Sequence, residues 1–141
     1  MSTNEELYKF PAPEGWVSKQ VLDGFGYVAG PYYFRADPAT PGVGFYSEER
    51  HTNLRGIVHG GALLTLADMS LFDICFRKIG RFKAVTVTLN SEFLGAGPVG
   101  EFIEATGEMT GGGKSLLFAR GIVTAKGKPL LSFSGTLKRF E

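Results

Sequence analysis

The 141-residue sequence contains one cysteine, Cys75, and two histidines, His51 and His59. A lone thiol permits no intrachain disulfide, and two imidazoles at this separation build no metal site of familiar spacing. Cys75 therefore reads as a small core residue, which fits a reducing compartment. No run of about 18 apolar residues occurs, so no segment is expected to span a membrane. An excess of charge is also missing. The 15 Lys and Arg and 14 Asp and Glu leave a net charge of +1, too weak a field to indicate nucleic acid or acidic lipid as a partner. There is no Gly-x-Ser-x-Gly elbow, which argues against a serine hydrolase. Gly113-Lys114-Ser115 ends like a phosphate-binding loop, but the earlier glycine that motif needs is replaced by Glu108, and a strand pattern follows where a helix is required. The first residues are polar and acidic, unlike a secretory signal. A cytoplasmic protein without a metal site of familiar spacing is expected.

What the sequence does have is apolar bulk, 43% hydrophobic residues with 12 Phe, enough for one domain over residues 1–141, with residues 1–15 as an arm carrying Pro11, Pro13 and Gly15. Its most informative stretch is residues 59–76, which read as one helix opening on His59, Gly60 and Gly61 and apolar on almost every side. Such a helix is expected to be buried. Asp68 is the only formal charge between Arg55 and Asp73, and an ionised carboxylate among apolar neighbours is costly unless something pairs with it or uses it. Asp68 either escapes to solvent through a thin part of the core, is satisfied by a hydroxyl, or is employed by chemistry. At the helix start the first amides lack intrahelical partners, the dipole is positive, and glycine lets a ligand oxygen come close. A developing oxyanion suits that place.

Elsewhere the pattern is short and punctuated. Residues 16–22 fit a helical turn, and residues 27–36 and 42–48 fit two strands around a Pro-containing turn. After the helix, which Gly80 is expected to end behind Arg77 and Lys78, the period becomes two. Phe82, Ala84, Thr86, Thr88 and Asn90 alternate with Lys83, Val85, Val87, Leu89 and Ser91. Glycine-rich turns then separate strands over 101–109, 115–125 and 130–139, read as a meander. One long helix covered by an antiparallel sheet gives an α+β class.

Asn53, six residues before His59-Gly60-Gly61, then Asp68, then Ala84-Val85-Thr86-Val87-Thr88-Leu89-Asn90-Ser91-Glu92-Phe93-Leu94, closed by Gly97-Pro98-Val99-Gly100-Glu101, resembles the hotdog-fold acyl-CoA thioesterases of the phenylacetate-pathway type. The resemblance covers residues 53–140. It implies a long central helix wrapped by a curved antiparallel sheet, a homodimer often paired into a homotetramer, and hydrolysis of an acyl-CoA thioester without a cofactor. It further implies that Asp68 is the catalytic carboxylate, that the Gly60 amide polarises the thioester carbonyl, that Asn53 and His59 belong to the catalytic group, and that Thr86 supports the acid. Gly61, Thr88, Phe93 and the Gly113-Lys114-Ser115 turn would line the CoA groove.

Simpler readings stand beside these. His59 could only cap neighbouring backbone, Asn53 could be a turn residue, and Thr86 and Thr88 suit a strand by propensity. Lys114, Lys78 and Arg81 could be solvated charges that only a CoA ligand would recruit. A non-catalytic acyl-CoA-binding hotdog module and a hotdog hydratase or dehydratase are the alternatives to hydrolysis. The hydratase would call for a histidine acting with the carboxylate. Gly60 and Asp68 lie roughly 12 Å apart along one helix, too far to act on one carbonyl, so two composite sites per dimer are expected.

Overall fold

The computed structural model describes residues 9–18 and 24–140. Its elements are β1 (Trp16–Ser18), α1 (Gly24–Ala29), β2 (Tyr33–Arg35), β3 (Val43–Tyr46), a 3-10 turn (Glu49–His51), α2 (Gly60–Ile79), β4 (Lys83–Phe93), β5 (Phe102–Gly112), β6 (Leu116–Ala125) and β7 (Lys128–Phe140). The strands form one antiparallel sheet in the order β1-β2-β3-β5-β6-β7-β4. Helix α2 lies against β5, β6 and β7, the hotdog arrangement of a long helix wrapped by a sheet. Among the described residues no helix is long and apolar enough to cross a membrane.

Apolar residues at helical spacing, Leu63, Leu66, Ala67, Leu71 and Ile74, meet Ile103, Ala105, Leu117, Val123, Leu131 and Leu137 from alternating strand positions. Cys75 is fully buried among them, where burial pushes its thiol up to about 11, as a core residue requires. The helix packs closely on the sheet at Gly135, where any side chain would run into Leu71. Gly80 ends α2 at a positive φ of 81° while its N–H donates to Phe76 O, a backbone state that favours glycine. One expectation fails on the far side of α2. Phe76 and Ile79 are exposed at 44% and 40%, because within one chain the sheet covers a single face of the helix.

Four further expectations need correction. Residues 16–18 form a strand, not a helical turn, because the Trp16 ring is buried edge-on against Phe102 and under the Arg35 guanidinium; residues 19–22 lie outside the described residues. The run 27–36 is divided between α1 and β2, since Pro31 has no N–H to continue the helix. The last four strands are a meander only from β5 to β7. β4 sits beyond β7 at the sheet edge. Within β4 the alternation also breaks: Thr86 pairs with Leu137 but Thr88 with Thr136, so Val87 is an extra bulged residue. Ala84 and Thr86 face α2 before the bulge, and Leu89 and Ser91 after it.

The carbonyls at the end of α1 are held by distant side chains. Arg50 donates to Val28 O and Gly30 O, and His51 Nε2 lies 2.7 Å from Ala29 O. His51 Nδ1 accepts the Glu48 N–H at 2.9 Å, which assigns the proton to Nε2 and keeps the ring neutral. Burial, with a smaller opposing effect from Ala29, holds its pKa below the usual 6.5. The unfolded chain therefore binds a proton that the folded chain refuses, and stability should fall as pH drops from about 6.5 towards 5. Urea unfolding should show this loss in the wild type and a shallower slope in His51→Gln. An identical slope in both would assign the proton elsewhere.

Candidate active site

Helix α2 begins with a side-chain cap. His59 Nδ1 accepts the Gly61 N–H at 2.8 Å, its carbonyl accepts from Ala62 at 2.9 Å, and its own N–H donates to His51 O at 2.8 Å. The imidazole thus serves the backbone, and the Gly61 amide is occupied. The Gly60 N–H, the first of the helix, has no protein hydrogen-bond partner among the described residues. Phe93 stands beside it: a Cβ on Gly60 would lie 3.0 Å from the Phe93 ring. Asn53 forms a turn by accepting the Arg55 N–H at its Oδ1, 2.9 Å away. It shares a depression of about 560 Å³ with His59, Thr52, Leu54 and Arg55.

Asp68 is half-buried on α2 beside the edge strand β4. The Thr86 hydroxyl donates to its Oδ1 at 2.6 Å, so β4 fixes one oxygen and directs the carboxylate. Asp68 lines a cleft of about 370 Å³ together with Phe34, Met69, Phe72, Asp73, Phe76 and Phe82. Thr88, carried to the opposite face by the Val87 bulge, does not join it.

The Gly113-Lys114-Ser115 turn joins β5 to β6 and is braced by the Arg139 N–H on Ser115 O at 2.7 Å. Lys114 lines a cavity of about 850 Å³ with Arg81, Lys83, Arg139, Phe82 and Phe140. Four cations converge there, and Phe82 belongs to both this cavity and the Asp68 cleft. Sequence reading singled out Lys114 and Arg81 but not Lys83 and Arg139. The register that sets Lys83 against Phe140 and Ala84 against Arg139 is what assembles them. Among the described residues no three His, Cys, Asp or Glu side chains gather as metal ligands would.

The deeply buried acid of α2 is Asp73, not Asp68. Its side chain is 4% exposed and pairs with Arg77 Nε at 3.1 Å, while its other oxygen accepts the Gly42 N–H at 2.9 Å. Isolation in sequence singled out Asp68, yet burial and pairing fall on its neighbour. The spacing of Asp73 and Arg77 by four was the available signal.

The sequence signature of the Thioesterase superfamily matches residues 55–132, more than half of the chain. The chain belongs to this superfamily. PA0474, a protein of Pseudomonas aeruginosa that carries the name of an esterase, is 31% identical over 129 residues, 87% of this chain and 93% of that protein. A variant of the phenylacetic acid degradation protein PaaI from Thermus thermophilus has the same fold, with a TM-score of 0.72 at 24% identity over 84% of this chain and all of that one. The smu.793 protein of Streptococcus mutans UA159, solved bound to acetyl-CoA, superposes with a TM-score of 0.63 at 22% identity over 70% of this chain and 79% of that one.

The two acids should separate by stability. Asp73→Ala leaves the Arg77 guanidinium buried without its partner and should cost about 3–5 kcal/mol. Asp68→Asn, half-buried and nearly isosteric, should change stability by less than about 1 kcal/mol. Urea unfolding of the two variants checks this, and equal losses would contradict the assignment of Asp73 as the structural acid.

Proposed function

We propose that this superfamily member is an acyl-CoA thioesterase that splits a CoA thioester into free acid and CoA. The observation that carries the proposal is the 2.6 Å hydrogen bond from Thr86 to Asp68 at the wall of an apolar cleft that adjoins a cavity lined by four cations. A CoA thioester has a matching layout, an acyl group at one end, polyanionic phosphates at the other, and the reacting carbonyl between. Cations at Lys114, Arg81, Lys83 and Arg139 suit the phosphates, and acetyl-CoA bound to the S. mutans structure supports a ligand of this kind.

In the reaction the thioester carbonyl oxygen accepts the Gly60 N–H at the positive end of α2. Asp68, oriented by Thr86, takes a proton from water as the water oxygen attacks the carbonyl carbon. The C–S bond then breaks, the sulfur leaves as CoA and takes up a proton, and the acyl group departs as the acid. Attack by the carboxylate itself, giving an anhydride that water then opens, uses the same groups.

Gly60 and Asp68 are roughly 12 Å apart along α2, so one carbonyl meets both only if they come from two chains. The sheet supports a two-fold partnership. β4 is an edge strand of eleven residues with Val85 and Val87 half exposed, and an unprotected apolar edge invites another strand. Pairing of two such edges would set each helix start opposite the partner's acid.

Release of free thiol from a panel of acyl-CoA esters tests the activity. Asp68→Asn should lower kcat by about 100-fold or more while the protein stays folded; wild-type turnover by that variant removes the mechanism. For the shared site, Asp68→Asn and Gly60→Val chains unfolded and refolded together should regain about a quarter of wild-type activity, since about half the dimers are mixed and each mixed dimer holds one intact site. If mixed dimers are present by mass and the mixture is as inactive as its parents, the two residues do not share a site across chains.

A further inference from the structure

The cleft beside Asp68 is lined by Phe34, Met69, Phe72, Phe76 and Phe82, and among the described residues its only polar side chains are two carboxylates. Phe72 and Phe82 stack nearly parallel, with their centroids 6.1 Å apart. No cation lines it. Arg77, one turn beyond Asp73 on α2, is 7% exposed and turned into the protein, where it pairs with Asp73 and donates to Asp37 O and Arg35 O. A ligand group carrying a carboxylate would therefore lose its hydration beside Asp68 and find no counter-charge.

One wall of the cleft does not belong to the helix or to β4. Phe34 comes from β2, in the hairpin β2–β3, and that hairpin is fastened to α2 by the ion pair. Asp73 accepts the Gly42 N–H just before β3, while Arg77 reaches the carbonyls of Arg35 and Asp37 just after Phe34. Gly42 O in turn accepts the Arg35 N–H. Both sides of the hairpin are thus held to one turn of the helix. A planar guanidinium makes all these bonds at once, which a lysine ammonium at the same place cannot do.

We infer that this cleft receives the acyl part of the substrate, that the acyl part is apolar and without charge, and that Arg77 with Asp73 is a positioning device that sets selectivity by holding Phe34 against the cleft. The inference rests on the acyl-CoA reading above and extends it from the thioester to the group attached to it. It also gives the half-exposed Phe76 ring an occupant to cover it, the tail of the ligand.

Equilibrium titration with thioethers that cannot be hydrolysed tests it without requiring turnover. CoA, S-octyl-CoA and the ω-carboxyl analogue of S-octyl-CoA are each bound to the full chain in a calorimeter. The octyl tail should tighten binding over CoA by about tenfold or more, the return from burying roughly two methylenes, and the carboxylated tail should add less than about threefold. Phe34→Ala, and Arg77→Lys judged folded by its melting curve, should each cut the octyl gain by about threefold or more. An octyl tail that adds nothing, as when a second copy of the chain seals the cleft, overturns the proposal, and so does an equal gain from the carboxylated tail. A full gain retained in Arg77→Lys overturns the positioning role. A strong octyl gain in a protein that hydrolyses no acyl-CoA would instead strike the thioesterase reading and leave the cleft assignment standing.

Discussion

Everything in this molecule depends on one helix being pressed into one sheet. The contact is close where Leu71 meets Gly135, and around it the apolar positions of α2 are matched to alternating residues of β5, β6 and β7. Burial of that area is the main favourable term available to a chain of this size, and it fixes the rotation of α2 about its own axis. Once the rotation is fixed, Leu63, Leu66 and Ile74 are turned in, Asp68 is left beside β4, and Phe76 is left half exposed. The candidate site is the remainder of the packing solution.

The same economy operates at the helix start, where two adjacent amides have different fates. His59 closes over Gly61, as a capping side chain would anywhere, and by doing so confines the unpartnered donor to Gly60. A residue that reads as part of a catalytic group thus acts on the backbone, and its effect on chemistry is to leave one amide presented. Gly60 also leaves room for the Phe93 ring, which a Cβ at this position would crowd.

Long, regular elements were legible from the residues: α2 with its glycine stop, and the four strands of the C-terminal half from their turns and alternation. What escaped was set by distant partners. Trp16 becomes strand because its ring is held under Arg35 and edge-on against Phe102, and α1, which Pro31 stops, is secured by Arg50 and His51, which gather its last carbonyls from across the fold. At the site, the Thr86 to Asp68 contact follows the expected pairing, whereas Thr88 was misplaced because nothing in a run of alternating β-formers marks a bulge. The burial of Asp73 was illegible for a related reason. Isolation along the chain is a local property, and burial of Asp73 is conferred by a hairpin thirty residues upstream.

The Val87 bulge has a consequence for accuracy of assembly. Before it, even-numbered residues of β4 face the helix; after it, odd-numbered ones do. A strand of uniform alternation can slide by two residues along its neighbour and still present the same face. A strand that changes parity in its middle has no such freedom, because any slide moves the bulge away from its place between Leu137 and Thr136 and turns part of one half the wrong way. β4 therefore has one admissible alignment with β7, and in that alignment the hydroxyl of residue 86 stands opposite the carboxylate of residue 68. The irregularity acts as a key, converting a tolerance of several ångströms along the strand into a single setting.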